Sequence, residues 1–107
     1  MIPNQIIWTE SSISDFSIII SYYSEFSIAI AEKITFNIFE RTSQLIKHPK
    51  SGQKEILLGK LKFEYRYLIE GNYKIIYRIE KQTIYIERIF DTRQNPTKIK
   101  KKIDRKK

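Results

Sequence analysis

From Phe63 onward the apolar side chains fall on every second position, a period that calls for strands rather than helices. Phe63, Tyr65, Tyr67 and Ile69 alternate with Glu64, Arg66 and Leu68. Tyr73, Ile75, Tyr77 and Ile79 alternate with Lys74, Ile76 and Arg78, and Ile84, Ile86 and Phe90 with Tyr85, Glu87 and Ile89. Turn residues at Gly71-Asn72 and Lys81-Gln82 divide this stretch into a three-stranded meander.

A two-residue turn at Gly71-Asn72 would set Tyr67 opposite Ile76 and mix apolar with charged side chains on both faces. A three-residue turn, Glu70-Gly71-Asn72, sets Tyr67 opposite Ile75 and Tyr65 opposite Tyr77. A one-residue slip moves every side chain to the other face, so the pattern favours the odd loop. A two-residue turn at Lys81-Gln82 then sets Tyr77 against Ile86. In that register the four tyrosines at 65, 67, 73 and 77 form core under a covering layer. Arg66, Lys74, Arg78, Tyr85 and Glu87 share the outer face, and Arg88 falls on the apolar side, which an edge position or a buried pair would explain.

The first half has helical spacing. Ile6-Ile7-Trp8 reads as a short strand, and Thr9 as the cap of a helix over roughly residues 10–24, with Ile13, Phe16, Ile20 and Tyr23 on one face. Ile30, Ile34, Ile38 and Leu45 mark a second helix from about Ser27 to Lys47. The break between them, Ser24-Glu25-Phe26-Ser27, holds neither Gly nor Pro, whereas Pro49 and Gly52 end the second helix firmly. Two helices return the chain to the end it left, so the second strand is expected antiparallel to the first. The predicted fold is α+β, in β-α-α-β-β-β order: a helical hairpin packed on one face of a four-stranded, largely antiparallel sheet.

Charge divides the chain. Residues 1–41 hold two basic and five acidic side chains, residues 42–97 eleven and six, and the last ten residues seven and one, for a net +8. Any polyanion binding is thus expected from the second half and the tail, not from the whole surface. Heavy use of isoleucine and lysine with only two alanines is the mark of an AT-rich genome, which discounts part of the lysine excess. No cysteine is present, excluding disulfides, thiol catalysis and thiolate metal sites. No phosphate loop, serine triad, dinucleotide motif or metal cluster occurs, so no cofactor and no metal is expected. Neither a secretory leader nor a membrane span is evident, and a cytoplasmic protein is expected.

The order of these residues resembles a known family. Trp8-Thr9-Glu10 leading into Ser14-Asp15, the loop His48-Pro49-Lys50-Ser51-Gly52, the hairpin from Tyr65 to Ile79 and the final run from Ile84 to Pro96 together resemble the RelE/ParE toxins of type II toxin–antitoxin systems. The resemblance spans about residues 5–96 and implies a toxin neutralised by a cognate antitoxin, with a dimer or toxin–antitoxin hetero-oligomer as the assembled form. Its RelE-like branch cleaves mRNA on the ribosome, and its ParE-like branch poisons DNA gyrase. Carried over by position, Arg66 stands at a catalytic lysine of the nuclease branch, Lys74 at an arginine, and Arg93 at the arginine after the last strand. Leu68 replaces a second catalytic lysine, and no tyrosine follows Arg93. The Gly71-Asn72 turn and the run from Arg93 to Pro96 look more ParE-like, so gyrase inhibition leads. An mRNA endonuclease, or an inactive member that serves only as a binding partner, is the alternative.

Attack of a 2′-hydroxyl needs a base, a cationic clamp and an acid. Arg66, Lys74, Arg78 and Arg93 could form the clamp, and Glu87 or Asp91 the base. As ordinary surface residues they would instead pair across strands, as Glu64 with Arg78 in the odd-loop register. Arg78, Tyr85, Arg93, Lys98, Lys100, Lys101 and Lys102 are the candidate contacts to a partner or nucleic acid. His48, the only histidine, suits the carbonyl end of the second helix. The domain is expected over 1–97, with 98–107 a basic tail or a short helix; a solvated tail is the favoured form, Ile99 and Ile103 permitting the helix.

Overall fold

The structure, a computed structural model, describes residues 4–58 and 63–104. Strand β1 (Gln5–Trp8) leads into helix α1 (Glu10–Ser24), and a short connection leads to α2 (Ile28–Ser43), which tightens into a 3-10 turn at Gln44–Ile46. Strand β2 (Gln53–Lys54) follows, then a second 3-10 turn at Ile56–Leu58. Strands β3 (Tyr65–Glu70), β4 (Tyr73–Glu80) and β5 (Thr83–Asp91) form the meander, and helix α3 (Lys98–Asp104) follows. Among the described residues the five strands lie in the order β1-β5-β4-β3-β2, with β1 parallel to β5 and the other pairs antiparallel. The α+β class and the helical hairpin are as the sequence predicts. The sheet gains a fifth strand, and β3 runs in the same sense as β1, not against it. The extra leg is β2: it carries the chain back across the sheet edge before β3 begins.

Capping explains the helix boundaries. The Thr9 side chain accepts from the Ser12 amide, and Ser27 does the same for Ile30. Ser27 therefore supplies the start signal for α2 that no Gly or Pro provides. At the other end the His48 amide donates to the Gln44 carbonyl. Trp8, Phe16 and Phe39 lock the strand and both helices together, with ring centroids 5.2–5.4 Å apart.

The hairpin register is the even one. Glu70 pairs with Tyr73 and Tyr67 with Ile76, so the turn at Gly71-Asn72 has two residues, Gly71 taking a φ of 58°. The three-residue turn is corrected accordingly, because both faces of this sheet are covered and a mixed pattern is satisfied. The inner face packs Leu68, Tyr73, Ile75, Tyr77, Ile84, Ile86 and Ile89 against α1 and α2. On the outer face Tyr65, Ile76 and Phe90 meet Leu58, Ile99 and Ile103, with Phe63 and Tyr67 alongside. Tyr73 and Tyr77 thus lie under the hairpin, whereas Tyr65 and Tyr67 lie on the opposite side.

A bulge completes the correction. Tyr77 pairs with Ile86 and Ile76 with Arg88, leaving Glu87 as the extra residue on β5. The alternation resets there, so Ile84, Ile86 and Ile89 all face inward and Phe90 faces out. The Thr9 hydroxyl sits within 3.0 and 3.1 Å of the Ile86 and Glu87 carbonyls, anchoring the start of α1 to the bulge.

The tail is a packed helix. Ile99 and Ile103 are each 1% exposed against Leu58, Tyr65, Ile76 and Phe90. The solvated tail is therefore wrong: the outer face of the meander carries apolar side chains that need a cover, and the four-residue spacing of the two isoleucines supplies one.

Candidate functional site: the cations around the sheet

The predicted site residues do not share one surface. Arg66 stands opposite Tyr77, on the inner side, where its Nη1 donates to the Gly52 carbonyl at 2.8 Å and its Nε to Glu64 at 3.0 Å. The Tyr77 hydroxyl donates to the Pro49 carbonyl at 2.8 Å and accepts from the Gly52 amide at 2.9 Å. Arg66 and Tyr77 therefore fasten the loop from Pro49 to Gly52 across the sheet edge. A Cβ on Gly52 would stand 2.5 Å from the Tyr77 hydroxyl and 2.7 Å from the Tyr67 carbonyl, so this close approach requires glycine. Burial raises the Tyr77 hydroxyl's pKa above that of a free tyrosine.

Lys74 and Arg78 do share the outer face. The Lys74 ammonium lies 2.7 Å from Glu55, which is 5% exposed, and 4.3 Å from the Tyr67 ring centroid. The Arg78 guanidinium is sandwiched between Phe63 and Tyr85, at 4.4 and 4.1 Å from their centroids. It is bound edge-on by both Glu80 and Glu87. Burial works against its charge, yet Glu87 and then Glu80 outweigh that and raise its pKa. Tyr85 is a stacking plate for Arg78 and not a free surface. Glu64, expected to pair with Arg78, instead pairs with Arg66 and Lys54. The even register separates it from Arg78.

Arg93 lies beyond the end of β5, on the side facing α1, and does not extend the outer face. Its backbone amide, Nε and Nη2 all engage Asp91, at 2.9, 2.9 and 2.7 Å. Hydrogen bonds from Arg93 hold the Asp91 carboxyl below the usual aspartate value, and Asp91 raises the guanidinium in return. The Arg93 side chain is still 56% exposed, the most accessible of these four cations. Lys98, Lys100 and Lys101 point into solvent from α3, while Lys102 is half-buried beside Arg93. No ion pair among the described residues involves any of the four lysines. Among the described residues there is also no cluster of three or more His, Cys, Asp or Glu suited to a metal ion, and no helix long and apolar enough to cross a membrane.

Sequence reasoning missed two partners. Asp15 takes both Nε and Nη2 of Arg88, at 2.8 and 2.7 Å, and accepts from the Ile89 amide at 3.0 Å. An acidic residue one turn into a helix, with an unexplained arginine on a late strand, was the available signal. Glu55 carried no signal, because its burial depends on β2, a strand of two residues.

The fold is thus a five-stranded sheet with a helical hairpin on one face and a short helix on the other, with Arg93 just beyond its last strand. A sequence model for the "ParE toxin of type II toxin-antitoxin system, parDE" matches residues 6–96. The chain belongs to this ParE toxin family. A solved toxin–antitoxin structure, the chromosomal ParDE system from P. aeruginosa, superposes with a TM-score of 0.67 at 21% identity, covering 82% of this chain and 94% of the other. No curated protein sequence matches.

Proposed function

We propose that the protein is a gyrase-inhibiting toxin that acts in the cytoplasm by binding, without hydrolysis, and that a cognate antitoxin neutralises it. The observation that carries this reading is the pairing of the cations. A phosphate clamp needs positive charge that is free in the resting site and convergent on one point. Here Arg66, Lys74, Arg78 and Arg93 each face a carboxylate, and they are spread over the inner side, the outer face and the end of β5. Leu68, at the place of a second catalytic lysine, is 3% exposed and part of the inner core. Glu87, a candidate base, is 4% exposed and held by Arg78. Among the candidate site residues, Arg93 and the exposed lysines of α3 are the accessible cations, which suits contact with a macromolecule more than chemistry on one.

Purified gyrase tests the reading. Addition of the protein is expected to inhibit supercoiling and to accumulate cleaved DNA covalently held on gyrase, and the antitoxin encoded beside it should reverse both. Gyrase that supercoils normally at saturating protein contradicts it.

A further inference from the structure

Helix α3 turns Ile99 and Ile103 to the sheet, each 1% exposed, and leaves Lys98, Lys100 and Lys101 in solvent with Lys102 half-buried. The packing that buries the two isoleucines therefore also faces the lysines away from the core. Lys98 stands three and four places before Lys101 and Lys102, and like charges at that spacing oppose an isolated helix. The contact with the sheet holds the helix in spite of them.

Elsewhere on the sheet the cations are neutralised. Arg66, Lys74, Arg78 and Arg88 each face a carboxylate, whereas no ion pair among the described residues involves a lysine of α3. This free charge is arranged in a line. Seven residues at 1.5 Å each span about 10.5 Å. Four lysines and one aspartate leave the helix a net +3, or one charge per about 3.5 Å. One strand of a DNA duplex carries one negative charge per about 3.4 Å of axis. Arg93, 56% exposed, lines the same cleft as Lys102 and carries the positive charge on to the end of β5. The helix holds no aromatic side chain on which a base could stack, and its two isoleucines are already covered, so it offers a protein no apolar anchor.

We propose that the outer side of α3 tracks the phosphate backbone of duplex DNA, with Lys98, Lys100 and Lys101 each meeting a separate phosphate and Lys102 and Arg93 beside them. The contact is a line and not a clamp. It places the protein on DNA without reading sequence and performs no chemistry. The inference goes beyond the gyrase reading and stands without it, because the DNA contact needs no gyrase.

The test uses the full chain and a fluorescein-labelled duplex of about 20 base pairs, followed by anisotropy across a salt series without gyrase. Binding is expected to be indifferent to sequence, with log K falling by about 3 for each tenfold rise in salt, or about 0.9 per phosphate contact. Substituting Lys98→Gln, Lys100→Gln and Lys101→Gln together should flatten that slope by about 1 per lysine and weaken low-salt binding at least about tenfold. Lys33, Lys47 and Lys50 are exposed elsewhere, and changing those three to glutamine removes the same charge but should leave the slope as it was. Glutamine favours helix as lysine does, so circular dichroism should show the α3 variant folded. If it is not, Lys101→Gln alone should flatten the slope by about 1. Equal losses in the two triple variants, a slope indifferent to the α3 substitutions, or no saturation at about 0.1 mM protein in low salt overturns the proposal. So does polyglutamate that displaces the probe as well as unlabelled duplex does at equal charge. Supercoiling by gyrase is scored in parallel. A protein that binds DNA through α3 but leaves gyrase untouched keeps the DNA contact and loses the gyrase reading. One that inhibits gyrase without any DNA affinity of its own does the reverse.

Discussion

On the inner face of the sheet Ile75, Tyr77, Ile84 and Ile86 are fully buried beneath two long helices; on the outer face Ile76 and Phe90 are buried beneath the seven residues of α3. The inner face is sealed by hydrocarbon, with polar ties only at its margins. The outer face has a small apolar centre ringed by Lys74–Glu55 and by Arg78 with Glu80 and Glu87. The difference teaches where each face gets its specificity. Inside, shape and area decide. Outside, half-buried ion pairs do, and such pairs position side chains more than they stabilise the fold. Cations that position the outer layer are not held ready for a phosphate.

The comparison breaks most visibly at Asp15. Its carboxylate is 12% exposed and serves both Arg88 and the Ile89 amide, so Asp15→Ala leaves a nearly buried arginine unpaired. A loss of about 3 kcal/mol is expected in urea denaturation. A loss below about 1 kcal/mol would show that α1 is not pinned to β5 by this pair.

The outer face should yield next. Replacing Ile99 and Ile103 together by alanine removes the anchors of α3 and exposes Tyr65, Ile76 and Phe90. We expect about 2 kcal/mol, less than two full core truncations would cost, because a short terminal helix can detach. Removal of residues 98–107 should cost as much. Unchanged melting of the truncated chain would restore the solvated-tail expectation.

Tyr77→Phe keeps the inner ring and removes the hydroxyl shared by Pro49 and Gly52. A loss of about 1–2 kcal/mol is expected, with faster amide exchange at Gly52. Arg93→Ala should leave the urea midpoint unmoved, since that side chain is exposed, yet relieve growth arrest at equal soluble expression. Undiminished toxicity would remove Arg93 from the contact surface. The smallest effect is in acid. Asp91's folded pKa lies below the ordinary 3.8, so its contribution is present above that value and lost as pH falls through the folded one. Asp91→Asn should remove this part of the acid titration and lower stability slightly at neutral pH, where the contribution is present in full.

How much of this was legible in the sequence depends on the range of the interaction. Helix starts were legible because Thr9 and Ser27 act within three residues. Strand positions were legible from alternation. The register was not, because the pattern was read as if one face had to be wet, while α3 covers the other. The bulge at Glu87 then inverted the reading of Ile89 and Phe90. Among the candidate residues Arg93 and Lys102 meet at one cleft, which no spacing announces. The pairing of Lys74 with Glu55 depends on β2, too short to have a period.

The central claim is that the protein binds its target and does not cut RNA. Primer extension on abundant messages during induction tests it most directly. Intact mRNA throughout growth arrest, with replication halted, is the predicted result. Codon-phased 5′ ends that appear on induction and vanish in a folded Arg66→Gln or Lys74→Gln variant would contradict the account, and would mean that the paired cations open to form a catalytic clamp after all.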